Sequence, residues 1–216
     1  FVIFVDGNNI VKSALIVSVL WWLWCRSRSD QSRVREKILL TIIVAFVALF
    51  FSRFLAAILP FRMRPVTDPA LSFLKPFTLE EHSYWSWSGF PSDHAVLFFS
   101  FAMSLRYISK KLGWLMFGYV FLIICLPRLY LGVHYPTDIL AGLVIGVGMT
   151  WLANTGGVRK YLRNLLIVPA MNWMERSPGT FYASLFLLTY QIADMFDQVR
   201  SAGGFVFSAV RHFLGK

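Results

Sequence analysis

The residues of this chain best suited to chemistry fall into two short segments, Pro91-Ser92-Asp93-His94 and Arg128-x5-His134-x3-Asp138. Their surroundings are rich in Leu, Val, Ile and Phe. Titratable groups are costly at membrane depth, so their clustering points to function. A third segment, Arg62-Met63-Arg64-Pro65, brings two more cations. Arginine suits the grip of tetrahedral oxyanions, and histidine can attack phosphorus or move a proton. The combination reads as a phosphate site in a membrane.

His134 and Asp138 lie four residues apart across Tyr135-Pro136, a turn signal. In a turn or first helical turn, this spacing lets the carboxylate hydrogen-bond one imidazole nitrogen. The other nitrogen is then left free to attack phosphorus and form a phosphohistidine. His94 can act as general acid, protonating the departing oxygen and later activating water. Ser92 sits where a helix should begin, and the free N–H groups and dipole there favour a bound phosphate. Arg64 and Arg128 would neutralise the non-bridging oxygens. Taken singly, each residue has a plainer use: a histidine capping a helix end, arginines anchoring at head groups, Asp138 as an N-terminal cap. Their joint occurrence favours the catalytic reading.

The elements that must position these groups are helices. Of 216 residues, 57% are hydrophobic, and the mean hydropathy is +0.60, more apolar than a soluble domain requires. The apolar runs are continuous rather than alternating with period two, which argues against a β-barrel. The fold class is therefore all-α, a polytopic membrane helix bundle with five or six transmembrane helices. Helices are predicted over 10–25, 38–59, 92–108, 114–130 and 137–153, with Gly156-Gly157 ending the last. Several are shorter than the roughly 20 residues a crossing needs. Those beginning near 92 and 137 therefore take up motif residues at one end, near the mouth of the bundle.

Residues 1–163 are expected to form the membrane-embedded core and 164–216 a C-terminal extension. Within the extension, 181–193 is read as a thin sixth span or an interfacial helix, and 205–214 as amphipathic and lying on the bilayer surface. Lys and Arg fix the sidedness. Eleven of them fall after the first, third and fifth helices, among them Arg35, Lys37, Lys110, Lys111, Arg159 and Arg163. That face is cytoplasmic, and the three motifs face away from it. The net charge of +10 thus reflects topology rather than a nucleic-acid partner. The expected partners are the lipid bilayer and a membrane lipid-phosphate substrate, and the sequence says nothing of oligomeric state. Tyr84, Trp85 and Trp87 in the long loop over 61–90 suit either a lipid guide or interfacial anchoring. Cys25 and Cys125 read as small hydrophobes, and no metal or other cofactor is expected. The sequence opens on Phe1, so it is expected to lack its natural start, and no cleavable signal peptide is read in it.

The three segments resemble the signature of the type 2 phosphatidic acid phosphatase superfamily: Lys-x6-Arg-Pro, then Pro-Ser-Gly-His, then Ser-Arg-x5-His-x3-Asp. The resemblance covers about residues 53–138. It implies His134 as nucleophile, Asp138 as its partner, His94 as acid, and Arg64, Ser92 and Arg128 as phosphate ligands. Three positions depart from the pattern. Asp93 stands where the family has glycine, placing a carboxylate beside the phosphate, and Pro127 replaces the serine before Arg128. Ala57 occupies the position of the family lysine, so Arg53 or Arg62 is expected to take its place as a phosphate ligand. Phe90-Pro91-Ser92-Asp93-His94-Ala95 and the stretch from Tyr130 to Asp138 are most similar to the bacitracin-resistance type of undecaprenyl-pyrophosphate phosphatase. That implies hydrolysis of a polyprenyl diphosphate on the outer side of a bacterial inner membrane.

Overall fold

The computed structural model describes residues 2–26, 29–74 and 88–194. Tyr84, Trp85 and Trp87, and the amphipathic stretch 205–214, lie outside the described residues. Eight helices follow in chain order among the described residues: α1 Val2–Gly7, α2 Ile10–Cys25, α3 Gln31–Ile58, α4 Asp93–Ile108, α5 Lys110–Tyr130, α6 Pro136–Ala153, α7 over 156–176 and α8 Pro178–Ala193. Three of them, α3, α5 and α6, are long and apolar enough to cross a bilayer. Large apolar side chains on these helices point outward, Phe50 at 77% exposure among them, with Leu122, Leu140 and Val144. An apolar exterior of this kind suits lipid rather than water. The chain is an all-α membrane protein.

The centre of the bundle is α4. Every residue from Ala95 to Leu105 is buried, as expected of a helix apolar on all sides. It packs between α3, α5 and α6. The approach of α6 is close because Gly142 and Gly146 face it. A Cβ at Gly142 would come within 2.6 Å of the Ala95 Cβ, and one at Gly146 within 2.5 Å of the Val96 carbonyl oxygen. This is the small-residue seam by which membrane helices gain dispersion contact. Ser109 alone separates α4 from α5, and its extended backbone, φ −148°, ends the first helix while its hydroxyl accepts from the Leu112 N–H.

Three helices contain a widened π turn among the described residues: Ile10–Ala14 opens α2, Val120–Cys125 lies within α5 and Arg163–Ile167 within α7. The latter two turns each end two residues before a proline, Pro127 or Pro169. Proline has no N–H to donate and its ring crowds the carbonyl four residues back, so the helix loosens just ahead of it.

The predicted spans at 92–108 and 137–153 match α4 and α6 to within a residue. Gly156-Gly157 does not end the helical path. The chain turns at Asn154 and Thr155, and both glycines enter the first turn of α7. The segment 181–193 belongs to α8, which runs antiparallel along α2. Ser13 Oγ donates to the Ala193 carbonyl at one end, and Trp24 stacks on Phe181 at the other, ring centroids 5.9 Å apart. Between them, Trp21 Nε1 donates to Thr189 Oγ1 at 3.1 Å. α8 thus packs alongside α2 within the bundle.

Candidate active site

The end of α3 and the starts of α4 and α6 converge at one end of the bundle, together with the end of α5. The loops there are joined through the backbone. The Gly89 N–H donates to the Arg62 carbonyl at 2.9 Å, Val66 N–H to the Gly132 carbonyl at 2.9 Å, and Ser92 N–H to the Asp138 carbonyl at 3.1 Å. Gly132 adopts φ +67°, a left-handed conformation costly for residues with a Cβ. All three sequence motifs thus meet through main-chain bonds before any side chain is considered.

His134 lies at the centre, 5% exposed. Its Nδ1 is 2.9 Å from the carbonyl oxygen of Gly89. A carbonyl can only accept, so Nδ1 carries the proton and the neutral ring keeps its lone pair on Nε2. Nε2 faces Arg128 Nη1 at 3.5 Å. Arg64 Nη1 donates to the Val133 carbonyl at 3.2 Å, immediately before the histidine. Burial pushes the His134 pKa down to about 4, against the pull of Asp138 and with help from Arg128 and Arg64.

Asp138 is wholly buried at 0% exposure, but it does not make the expected hydrogen bond to the imidazole. Its Oδ2 stands 3.7 Å from His134 Nδ1 and accepts instead from the Tyr135 N–H at 2.8 Å. Gly89 takes the place at the ring because its backbone reaches His134 more closely. The helix-capping role considered for Asp138 is therefore real: as third residue of α6 it satisfies the N–H of Tyr135, the cap. Its other oxygen pairs with Arg62 Nη1 at 3.0 Å. Asp138 remains a negative charge 3.7 Å from the ring, acting through space.

Arg62 is layered on aromatic faces, 4.6 Å from the Tyr135 centroid and 5.8 Å from that of Phe90. The structure therefore brings Arg62, Arg64, Arg128, His134 and Asp138 together. Ser92 caps α4 beside them, and its hydroxyl is buried without a hydrogen-bond partner among the described residues. His94 follows one residue into the same helix turn, half-buried, its ring 6.2 Å from that of Phe98.

Arg53 and Asp93 are arranged otherwise. The carboxylate of Asp93 pairs with the Arg53 guanidinium and accepts from Ser52 Oγ at 2.9 Å. Both partners are on α3, so the extra negative charge at the glycine position is held by a neighbouring helix. Asp93 and Arg53, both expected beside the phosphate, are thus engaged with each other through their side-chain charges.

One residue in this region carries no signal in the motifs. Asp6 of α1 is buried, and its Oδ1 lies 3.2 Å from Arg128 Nε. Its only mark in the sequence is an acid set in the apolar run Val2-Ile3-Phe4-Val5. Among the described residues, no group of three or more His, Cys, Asp or Glu side chains comes close enough to hold a metal ion.

Fold and site together define a membrane helix bundle with a buried histidine–arginine centre at one end. The chain belongs to the PAP2 superfamily, which it matches over residues 37–160. It is 43% identical over 60 residues to the bacitracin transport permease protein BcrC of Bacillus licheniformis, covering 28% of this chain and 29% of that protein. Against the undecaprenyl-diphosphatase BcrC of Bacillus subtilis it is 26% identical over 147 residues, 67% of each chain. A lipid A 4'-phosphatase of Bacteroides thetaiotaomicron shares 41% identity over 69 residues, 30% of this chain and 29% of that one. No solved structure matches.

Proposed function

We propose that this chain is an integral-membrane lipid phosphatase that converts a polyprenyl diphosphate, undecaprenyl diphosphate foremost, to the monophosphate. The observation that carries the reading is the fixed tautomer of His134: Nδ1–H held by the Gly89 carbonyl and Nε2 presented beside Arg128. In the proposed reaction, Nε2 attacks the terminal phosphorus, and the bond from phosphorus to the bridging oxygen breaks. His94 protonates that oxygen, which leaves on the lipid monophosphate. His94 then takes a proton from water, and the hydroxide attacks the phosphohistidine. Inorganic phosphate departs and neutral His134 returns. Arg64 and Arg128 hold the non-bridging oxygens, with Arg62 as the third cation in place of the family lysine, and the N–H groups opening α4 add to the grip. Asp138 stabilises the charge that develops on the ring. The relatives named as undecaprenyl-diphosphatase and lipid A 4'-phosphatase support the substrate class.

The proposed location is the inner membrane of a bacterium, with the site on its non-cytoplasmic face. Two basic features support this, because both lie at the far end of the bundle from His134. Lys37 Nζ donates to the Tyr107 carbonyl at 2.7 Å, and Arg163 is paired doubly with Glu36 at 3.0 Å. The division into a core over 1–163 and an extension over 164–216 is likewise proposed.

The test is phosphate release by purified protein from undecaprenyl diphosphate, phosphatidate, phosphatidylglycerophosphate and lipid A. A preference for the first, with acid-labile label trapped on wild type but absent from His134→Ala, is the expected result. Preference for another lipid moves the chain to that phosphatase class. Unchanged release by His134→Ala removes the enzymatic reading.

A further inference from the structure

We infer that Asp6 is a positioning residue for the phosphate-binding arginine Arg128, an inference that rests on the phosphatase reading above. Arg128 is buried at the end of α5, and its guanidinium is a rigid plane with N–H groups along two edges. Asp6 Oδ1 meets the Nε edge at 3.2 Å, while Nη1 looks toward His134 Nε2 at 3.5 Å. Holding one edge of a planar group aims the other. The approach at Nε is a charge contact, since neither atom makes an aligned hydrogen bond.

A buried carboxylate is costly unless it is paired, and α1 brings Asp6 into the bundle at this place although Ile3 and Phe4 beside it are exposed. The helix is docked against the end of α5 that carries Arg128. A guanidinium without this counter-charge would keep its positive charge, because arginine does not lose its proton in proteins, but not its direction. Asp6 therefore acts on the orientation of Arg128 rather than on its charge state. It bears on the step in which charge develops on the transferred phosphoryl group, more than on the initial capture of substrate.

The experiment compares wild type, Asp6→Asn and Asp6→Glu, each also in an Arg128→Lys background, by steady-state phosphate release from undecaprenyl diphosphate and by thermal unfolding in detergent. We expect Asp6→Asn to lower kcat about tenfold with KM changed about twofold at most, and Asp6→Glu to lose about threefold. Lysine lacks the planar fork, so in the Arg128→Lys background Asp6→Asn should cost less than about twofold. A residue that merely anchored α1 would cost the same factor in both backgrounds, and that result overturns the inference. Should Asp6→Asn not accumulate, Asp6→Glu carries the test, and wild-type kcat in that variant overturns it. Failure of the phosphatase reading looks different, because wild type itself would then release no phosphate and both proposals would fall together.

Discussion

The carboxylate of Asp93 is bound by the guanidinium of Arg53, so the residue that replaces the family glycine is tied to α3. The Arg53 side chain is 33% and that of Asp93 12% exposed, which makes the pair partly buried. Removing one partner leaves the other charge poorly solvated. Asp93→Ala should therefore destabilise the protein by about 1–3 kcal/mol, and Arg53→Leu combined with Asp93→Leu should recover much of the loss. Thermal unfolding of the single and double variants measures this. Equal losses that simply add would show that the two residues are not coupled.

The lysine position of the family pattern is filled by Ala57 here, and Arg62 is proposed to supply the missing cation. Arg62 touches Asp138 and the face of Tyr135, whereas Arg53 is engaged by Asp93. Arg62→Ala should lower kcat/KM by about tenfold or more, and Arg62→Lys should restore only part of it, because lysine cannot reproduce the stacked plane. Arg53→Ala should change kcat/KM by less than about threefold per folded molecule. The opposite ranking would give the role to Arg53.

Acidification should destabilise the protein through His134. In the folded chain its pKa is lowered to about 4 by burial, against 6.5 for the ordinary imidazole. Between those values the unfolded chain binds a proton that the folded chain refuses, so stability contributed above pH 6.5 is lost as the pH falls toward 4. The melting temperature should drop between pH 7 and pH 5, and His134→Gln should flatten the decline. An equally steep decline in the variant would assign it to other groups.

The seam between α4 and α6 should not tolerate even one added carbon. A Cβ at Gly142 would also stand 2.9 Å from the Ser92 carbonyl oxygen, at the cap of α4. Gly142→Ala should cost about 1–3 kcal/mol and lower activity by prying the Ser92 backbone from Asp138. Gly148 on the same helix has nothing within 4 Å of its added Cβ. Gly148→Ala should be neutral or stabilise by up to about 1 kcal/mol through helix propensity. Unfolding and phosphate release for the two variants make a matched pair.

What could be read without the structure was set by how the information is encoded. The motif residues were legible because titratable groups stand out in an apolar chain, and the helices because long apolar runs have few alternatives. Gly89 was not legible as the partner of His134, since every residue offers a carbonyl and the side chain says nothing of where it points. Asp6 escaped because it is brought to Arg128 by tertiary packing across 122 positions of chain, with no spacing rule to connect them. Gly156-Gly157 misled because a glycine weakens a helix interior but is tolerated at its first turn.

The contact between His134 and the Gly89 carbonyl also bears on how this centre is inherited. A ring oriented by another side chain can lose its orientation through a single codon change at that partner. Here the acceptor is main chain, and no substitution at Gly89 deletes it. A replacement can only displace it, as a Cβ there would by meeting Arg64 Cγ at 3.2 Å and the Arg62 carbonyl oxygen at 3.4 Å. The protonation pattern of the imidazole is in that sense buffered against mutation: side chains around it can drift while the tautomer is copied with the course of the backbone.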